Sequence, residues 1–545
     1  MMPVWLMIMC MILFLFAAAP AEGIPTMSPA PAPLPAEQPL TDAAGSLIGL
    51  WEFERTDELD LVFTSYEEFT PDGLCIFQTV DESGSVTFFD IDTYDVQGDT
   101  LDRRSVFAVS GDTLTITTQE IAGESRSTYH RVVRRPPELY AVMRCGDYCY
   151  TLDADGGATI MRYIGGYDPT LQRLDIPAFL DGHPVTGIGM MAFEYCPVGS
   201  IVLPDTITVI GDRAFCNAQI YDIVIPDSVS EIGVSAFADN LFESVTIPAG
   251  VRNISESAFA SCGRLKEVHL QEGLDSIGAY AFSHCDSMER IILPDSLSTL
   301  ESNPFCNCES LREIVISDNH PFLYTMGGAL FTKADRRLIS YPCDLPAAHY
   351  EIPDGTTVIA DHAFQGNRYL TSVTIPDSVT EIGEGVFANT WSLEAVTIPR
   401  SVTEIGRETF YMAVSLQLIR LPDGLTEIGD DAFRQCDSLS AINIPDSVIM
   451  IGHEAFRDCY SLTDLTLPEG IQVIGSRAFS GCTKLTGICL PASLTEIGDQ
   501  AFTFYDRSVR KDVPLKVIFT VEPGTCAEQY CIGNGMNYVL RNVAE

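Results

Sequence analysis

The chain is poor in basic residues, tryptophan and histidine, and beyond its first twenty residues it has no long apolar run. Lys and Arg number 32 against 75 Asp and Glu in 545 residues, a formal net charge of -43. Such a field repels phosphate backbones and anionic membranes, so nucleic acid is not an expected partner. It suits an exported, soluble protein, or one that meets cationic partners. No later run of 18 apolar residues exists, so no spanning helix is expected once a leader is removed. The 8 histidines are scattered, and no Gly-x-Ser-x-Gly or Walker sequence occurs. The expectation is therefore no catalytic residue, no metal site and no cofactor: a protein that is not an enzyme.

What the chain does have is repetition. The segment Ile375-Pro376-Asp377-Ser378-Val379-Thr380-Glu381-Ile382-Gly383 recurs, little changed, at Ile398–Gly406, Leu421–Gly429, Ile444–Gly452, Leu467–Gly475 and Leu490–Gly498. A phenylalanine follows each copy within four residues: Phe387, Phe410, Phe433, Phe456, Phe479 and Phe502. An earlier block (Phe193, Phe215, Phe237, Phe259, Phe282, Phe305) keeps a spacing of 22 or 23, and Phe364 follows an irregular stretch. A fixed period in this range marks a solenoid, in which one short unit stacks on the next. Hydrophobic residues make up 46% of the chain and the mean hydropathy is +0.14, enough to fill a stacked interior.

Within each unit the pattern Leu-x-x-Ile-x-Ile-Pro places two apolar residues two apart, as in Val373 and Ile375, so both point the same way from a strand. The proline ends the strand because it has no amide to donate. A second apolar pair follows (Val379, Ile382), then Gly383 turns the chain and the phenylalanine closes the coil. The expected fold is mainly β, a solenoid of 22–23-residue coils.

The 17 cysteines of an exported chain would ordinarily suggest disulfides. Yet Cys196, Cys262, Cys285, Cys308, Cys436, Cys459 and Cys482 each sit three residues after a repeat phenylalanine, in a slot filled elsewhere by Asn240, Asn367, Thr390, Ala413 or Tyr505. A slot shared by Cys and Asn at a repeat corner reads as an interior position that packs a small group or bonds turn amides, with buried free thiols. Cys145 with Cys149, and Cys526 with Cys531, are the better disulfide candidates.

Four segments follow from the rest of the chain. Residues 1–21 read as a signal peptide, apolar from Val4 to Ala19 with a small-x-small site at Ala19-Pro20-Ala21. Residues 22–45, rich in Pro and Ala, read as an extended linker. Residues 46–135 carry short alternating runs (Cys75–Val80, Val86–Ile91, Thr113–Thr118) with turns at Pro71-Asp72-Gly73, Ser83-Gly84 and Gly111-Asp112, the pattern of a small antiparallel barrel or sandwich. The solenoid occupies 136–545, opening on a hairpin about Asp155-Gly156-Gly157 that serves as a cap.

Two resemblances are carried by these motifs. Gly49-Leu50-Trp51, Gly98-Asp99-Thr100-Leu101, Gly111-Asp112-Thr113-Leu114 and Tyr129-His130-Arg131 resemble the lipocalin-like domains of bacterial exported proteins; the likeness implies an N-terminal β-barrel with Trp51 as its floor. The repeat Leu-x-x-Ile-x-Ile-Pro-x-x-Val-x-x-Ile-Gly-x-x-Ala-Phe-x-x-Cys resembles that of BspA-type leucine-rich repeat proteins over about residues 138–545. The longer repeat around Leu338-Ile339-Ser340-Tyr341-Pro342 and the end at Pro523–Cys531 match that family as well. The likeness implies an exported or surface-held protein of bacteria or protists, several relatives being adhesins for host matrix and plasma proteins.

Three local motifs have bland explanations. Gly187-Ile188-Gly189-Met190-Met191-Ala192 fits a dinucleotide fingerprint only because the repeat spells it. His453-Glu454 lacks a second histidine, and Asp153-Ala154-Asp155-Gly156 is a hairpin turn before it is a calcium loop. The Glu381, Glu404, Glu427 and Glu496 series reads as a solvated face. Function is expected on the outward positions of the strand ladder: Asp222, Glu243, Glu267, His269, Arg290, Glu313, Arg420 and Asp464, together with the apolar Val202, Val224, Ile292, Val315 and Leu418. These would bind another macromolecule outside the cell, with the protein a monomer. The alternative is a small apolar ligand carried in the N-terminal barrel.

Overall fold

The structure, a computed structural model, describes residues 49–56, 62–70, 74–80, 86–93, 96–97, 100–101, 105–110, 113–120, 123–131, 141–165, 173–506 and 510–541. The expected signal peptide and linker lie outside these residues. The chain divides into two compact units, one of residues 1–144 and 149–159, the other of 145–148 and 160–545.

The first unit is an antiparallel sheet. Its strands are β1 (Gly49–Thr56), β2 (Val62–Phe69), β3 (Leu74–Val80), β4 (Val86–Thr93), β5 (Val96–Gln97), β6 (Thr100–Leu101), β7 (Ser105–Ser110), β8 (Thr113–Glu120) and β9 (Gly123–Arg131). Their order is 4-3-2-1-9-8-7-6-5, so the first and last strands pair, Trp51 opposite Arg131. Along β3, Leu74, Ile76, Gln78 and Val80 are buried and alternate with half-buried Cys75, Phe77 and Thr79. That is the period-2 pattern of a sheet with one covered face. The expected barrel floor, the Trp51 side chain, is not among the described side chains.

The second unit is a stack of parallel coils. Most coils lay down a three-residue strand; Ser372–Thr374, Ala395–Thr397 and Leu418–Arg420 pair in register at 23-residue steps, and the ladder breaks between Leu418–Arg420 and Ala441–Asn443. The middle residue of each (Ile223, Val373, Val396, Ile419, Ile442) is buried and the flanking two point outward. The strand ends at the proline as expected, and the proline carbonyl accepts from the amide three residues on: Val379 N–H to Pro376 O is 3.1 Å. A second ladder of two-residue strands follows, Glu404–Ile405 beside Glu427–Ile428 beside Met450–Ile451.

The turn segment makes a third ladder that the sequence pattern does not announce. Asp431, Phe433 and Gln435 N–H groups donate to the carbonyls of His453, Ala455 and Arg457 at 2.8, 2.7 and 2.8 Å, and the next coils repeat the set. To aim alternate amides along the stack, two residues per coil adopt positive φ, such as Asp431 at 53° and Gln435 at 60°. Non-glycine residues are strained there by about 1–2 kcal/mol each. The inter-coil hydrogen bonds hold them in place.

The glycine of the Ile-Gly step has a different role from the one expected. It does not turn the chain through a positive φ. A Cβ on Gly475 would lie 2.5 Å from the backbone of Gly452 and His453, so glycine is required because neighbouring coils approach closely.

Every expected repeat phenylalanine is buried. From Phe364 to Phe502 successive rings stack at 5.1–5.3 Å. The block from Phe193 to Phe305 stacks at 5.1–6.1 Å. Tyr163 lies on Phe193 at 5.5 Å at one end, and Phe519 and Tyr530 meet Phe502 edge-on at the other. In the irregular stretch the chain leaves the stack as an antiparallel hairpin, Leu323–Met326 with Ala329–Thr332, and Tyr341 takes the ring position, 5.1 Å from Phe364. The terminal segment is a helix, Cys526–Gly533, capped by Thr525 Oγ1, which accepts from Glu528 N–H at 3.3 Å.

The corner slot bonds carbonyls and is interior in most coils; Tyr505, expected in it, is instead 58% exposed, because it lies on the hairpin strand Thr503–Asp506. Thiols of Cys262, Cys285, Cys308, Cys436, Cys459 and Cys482 donate to the phenylalanine carbonyl of the preceding coil at 3.0–3.4 Å. Asn240 does the same to Phe215 O at 2.8 Å and accepts from Ile220 N–H. Cys196, in the first coil, is only half-buried. The two preferred disulfide pairs are not bridges. Cys526 and Cys531 are free thiols on one short helix, five residues apart and facing different ways. The Cys145 thiol hydrogen-bonds to Asp181, which raises its pKa.

Candidate functional site

The eight charged positions expected on the ladder face are all solvent-exposed. Seven are outward members of three-residue strands; Glu243 precedes one, Ser244–Thr246. The fold brings them onto one face of the coil stack because each strand alternates out-in-out around a fixed buried centre.

Their electrostatics differ along the stack. In the earlier coils several of the charges pair with one another, while Asp222 accepts from Ser200 Oγ at 3.4 Å. Arg173 meets Asp175 at 2.8 Å, Lys266 meets Glu243 at 2.7 Å, His269 lies 3.6 Å from Glu267, and Arg290 lies 3.7 Å from Glu313 across neighbouring strands. The Lys266 ammonium holds the Glu243 carboxyl below its ordinary range, first through its hydrogen bond and then through its charge. From Ser372–Thr374 to Ala441–Asn443 the strands carry one charge, Arg420, which lies between Thr397 and Asn443, and Leu418 is 67% exposed between Ala395 and Ala441. Val224, 74% exposed beside Val202, and Ile292, 55% exposed beside Val315, are further apolar spots.

The remaining candidates settle into structural work. Asp153 Oδ1 accepts from Asp155 and Gly157 N–H at 2.9 and 2.8 Å, capping the hairpin. His453 Nδ1 accepts from Ser476 N–H of the next coil at 3.1 Å. Gly189 N–H donates to Ile160 O at 2.7 Å, in a strand-to-turn step with no helix after it. Glu404 and Glu427 are neighbours on the second ladder; burial, then the Glu404 charge, pushes the Glu427 carboxyl up. Among the described residues no group of three or more His, Cys, Asp or Glu is placed to hold a metal ion. No helix among them is long and apolar enough to cross a membrane.

One cluster escaped the sequence reading. Glu454 receives Arg434 at 2.9 Å, Arg457 at 2.7 Å and Arg477 at 3.6 Å, and Arg434 also lies over the Tyr411 ring at 5.6 Å. The three arginines hold the Glu454 carboxyl below its ordinary value against the effect of burial. The residues come from three coils at slots just outside the phenylalanine column. The signal was present in the period, as Arg434 and Arg457 are 23 apart.

The sequence matches the BspA type leucine rich repeat region, in six copies, over residues 186–312, 230–345, 340–460 and 403–511, more than half of the chain. No curated protein matches. Among solved structures, the chain is similar to a leucine rich cell surface protein from Faecalibacterium prausnitzii (27% identity, 69% of this chain and 97% of that one, TM-score 0.48). It is also similar to the pneumococcal vaccine antigen PcpA (20% identity, 74% and 100%, TM-score 0.48). A leucine-rich repeat protein from Bacteroides ovatus gives 26% identity, 65% and 95%, and a TM-score of 0.40.

Proposed function

Because the chain belongs to the BspA-type leucine-rich repeat family, we propose that it is a secreted or cell-surface, non-enzymatic binding protein whose strand-ladder face takes up another macromolecule, as in adhesion. One observation carries the reading. The inward residues of the ladder are nearly fixed as Ile, Val or Leu, while the outward ones range from Asp222 and Arg290 to Leu418 and Asp464 at the same backbone position. A rigid repeat with variable outward slots is how solenoids form binding surfaces. The partner is a protein or other macromolecule outside the cell, and the protein acts as a monomer, since a charge of -43 opposes self-association.

The test is binding of the full chain to immobilised extracellular-matrix and plasma proteins and to whole cells. Saturable binding that falls when ladder charges are reversed supports the reading. Absence of binding to every surface, or binding indifferent to the ladder, overturns it.

A second reading gives the N-terminal sheet a small apolar ligand, as a lipocalin-like barrel would. It is favoured by the strand order, in which β1 pairs with β9 as in a closed meander. Native mass spectrometry of the full chain with lipids and dyes checks it; an always-empty protein removes it.

A further inference from the structure

We infer that the ladder face recognises its partner at one sector, centred on Leu418 and Arg420, and that the partner segment presents a carboxylate beside a large apolar side chain. This rests on the ladder reading above and narrows it.

Charge singles out Arg420. Among the described residues, Arg420 is the one basic side chain on the ladder that makes neither an ion pair nor a hydrogen bond. Arg173, His269 and Arg290 each face a carboxylate, and His349 Nδ1 lies 2.9 Å from Ser372 Oγ. In a chain with 75 acidic residues against 32 basic ones, an unmatched guanidinium held at a fixed position on an exposed sheet face stands out. Arg420 cannot find a partner along the stack, because Thr397 is its neighbour on one side and the next strand carries Asn443 in the same slot. Across the four strands from Ser372–Thr374 to Ala441–Asn443, it is the one charged outward residue.

One large apolar side chain is exposed on the same strand. Leu418 lies two residues away on the same strand, about 6.6 Å along it, and is 67% exposed. At the corner that precedes the strand, four residues upstream, the equivalent slot holds Trp391, Val414, the exposed Asp437 and Tyr460 in successive coils; Trp391 is 49% and Tyr460 46% exposed. Three coils separate Trp391 from Tyr460, about 14 Å at ordinary strand spacing. Arg beside an exposed aliphatic residue is a pairing found at interface centres, where a handful of residues supply most of the affinity. On the earlier ladder the basic residues Arg173, His269 and Arg290 already face carboxylates, so a partner's carboxylate there would have to displace one the chain itself supplies.

Complementarity then fixes the partner's chemistry. A guanidinium calls for a carboxylate, which it can engage through two parallel hydrogen bonds. Leu418 calls for an aliphatic or aromatic side chain close to that carboxylate.

The experiment is selection of a displayed random-peptide library on the immobilised full chain, followed by affinity measurement of the enriched peptides on variants. Leu418→Asp and Arg420→Glu are read against Glu267→Lys with Arg290→Glu in the charged sector. Thermal melts confirm that each variant keeps its fold. The expected result is enriched peptides with Asp or Glu near an apolar residue, and binding weakened about tenfold or more by either Leu418→Asp or Arg420→Glu, with the charged-sector variant unaffected. Peptides that depend on Glu267 and Arg290 instead overturn the sector while leaving the ladder reading in place. Peptides indifferent to all four positions, or no enrichment at all, overturn both.

Discussion

Phe433 illustrates how one residue type carries the coil. Its ring is buried between Phe410 and Phe456 at 5.2 and 5.1 Å. Phe433→Ala leaves a gap in a column whose members cannot close over it, and it should cost about 3–5 kcal/mol. Denaturant unfolding of the full chain, with hydrogen exchange localised to the neighbouring coils, checks this. Gln435 illustrates the opposite. Its φ of 60° suits glycine, and its side chain makes no described hydrogen bond. Gln435→Gly should therefore leave stability unchanged or raise it by up to about 1 kcal/mol, whereas Gln435→Val should lower the melting point. The Cys262 thiol is pushed up by burial to about 12, partly offset by a backbone hydrogen bond from Asn240. An unfolded thiol loses its proton near 9 while the folded one keeps it. The stability this confers is complete below pH 9 and falls as pH rises towards 12. Unfolding midpoints between pH 8 and pH 11 should drop more steeply for the native chain than for Cys262→Ala.

At the scale of the coil, the corner slot links neighbours. Asn240 donates to Phe215 O and Phe237 O and accepts from Ile220 N–H. Asn240→Leu strands these buried backbone groups, at about 1–3 kcal/mol for each one left unmade. Asn240→Cys, the residue most coils use, keeps a donor for the preceding carbonyl and should melt well above the Leu variant. This slot, the phenylalanine column and the ladder with its outward residues were legible in the sequence because Phe and the inward aliphatic residues recur at one spacing, which fixes where the positions between them point. The positive-φ positions were not. Met191, Tyr195, Gln435 and Arg477 occupy them, and none of these residues announces a left-handed conformation. The conformation is imposed by amides that must reach the next coil, a contact that local propensity does not encode. The glycine was visible but misread for the same reason: its constraint comes from a neighbour 23 residues away. The disulfide candidates failed because proximity in sequence, as in Cys526 and Cys531, does not survive helical geometry.

At the scale of the whole molecule, charge dominates. With -43 spread over the chain, like-charge repulsion opposes the folded state and salt screens it. The unfolding temperature should rise between 10 mM and about 300 mM sodium chloride, where the Debye length shrinks from about 30 Å to below 8 Å. A flat response in calorimetry would mean that paired charges, such as those around Glu454, already neutralise the field locally.

The register of the coils also bears on how such a gene can change. Loss of residues 398–420 would join Thr397 to Leu421 and set the strand Ala395–Thr397 beside Ala441–Asn443, with rings and corner groups still aligned. A loss of 20 residues would bring unlike side chains opposite one another along the entire downstream stack. Unequal recombination between near-identical copies therefore yields either a whole added or missing step or a misfolded product, and that particular deletion would also remove Leu418 and Arg420.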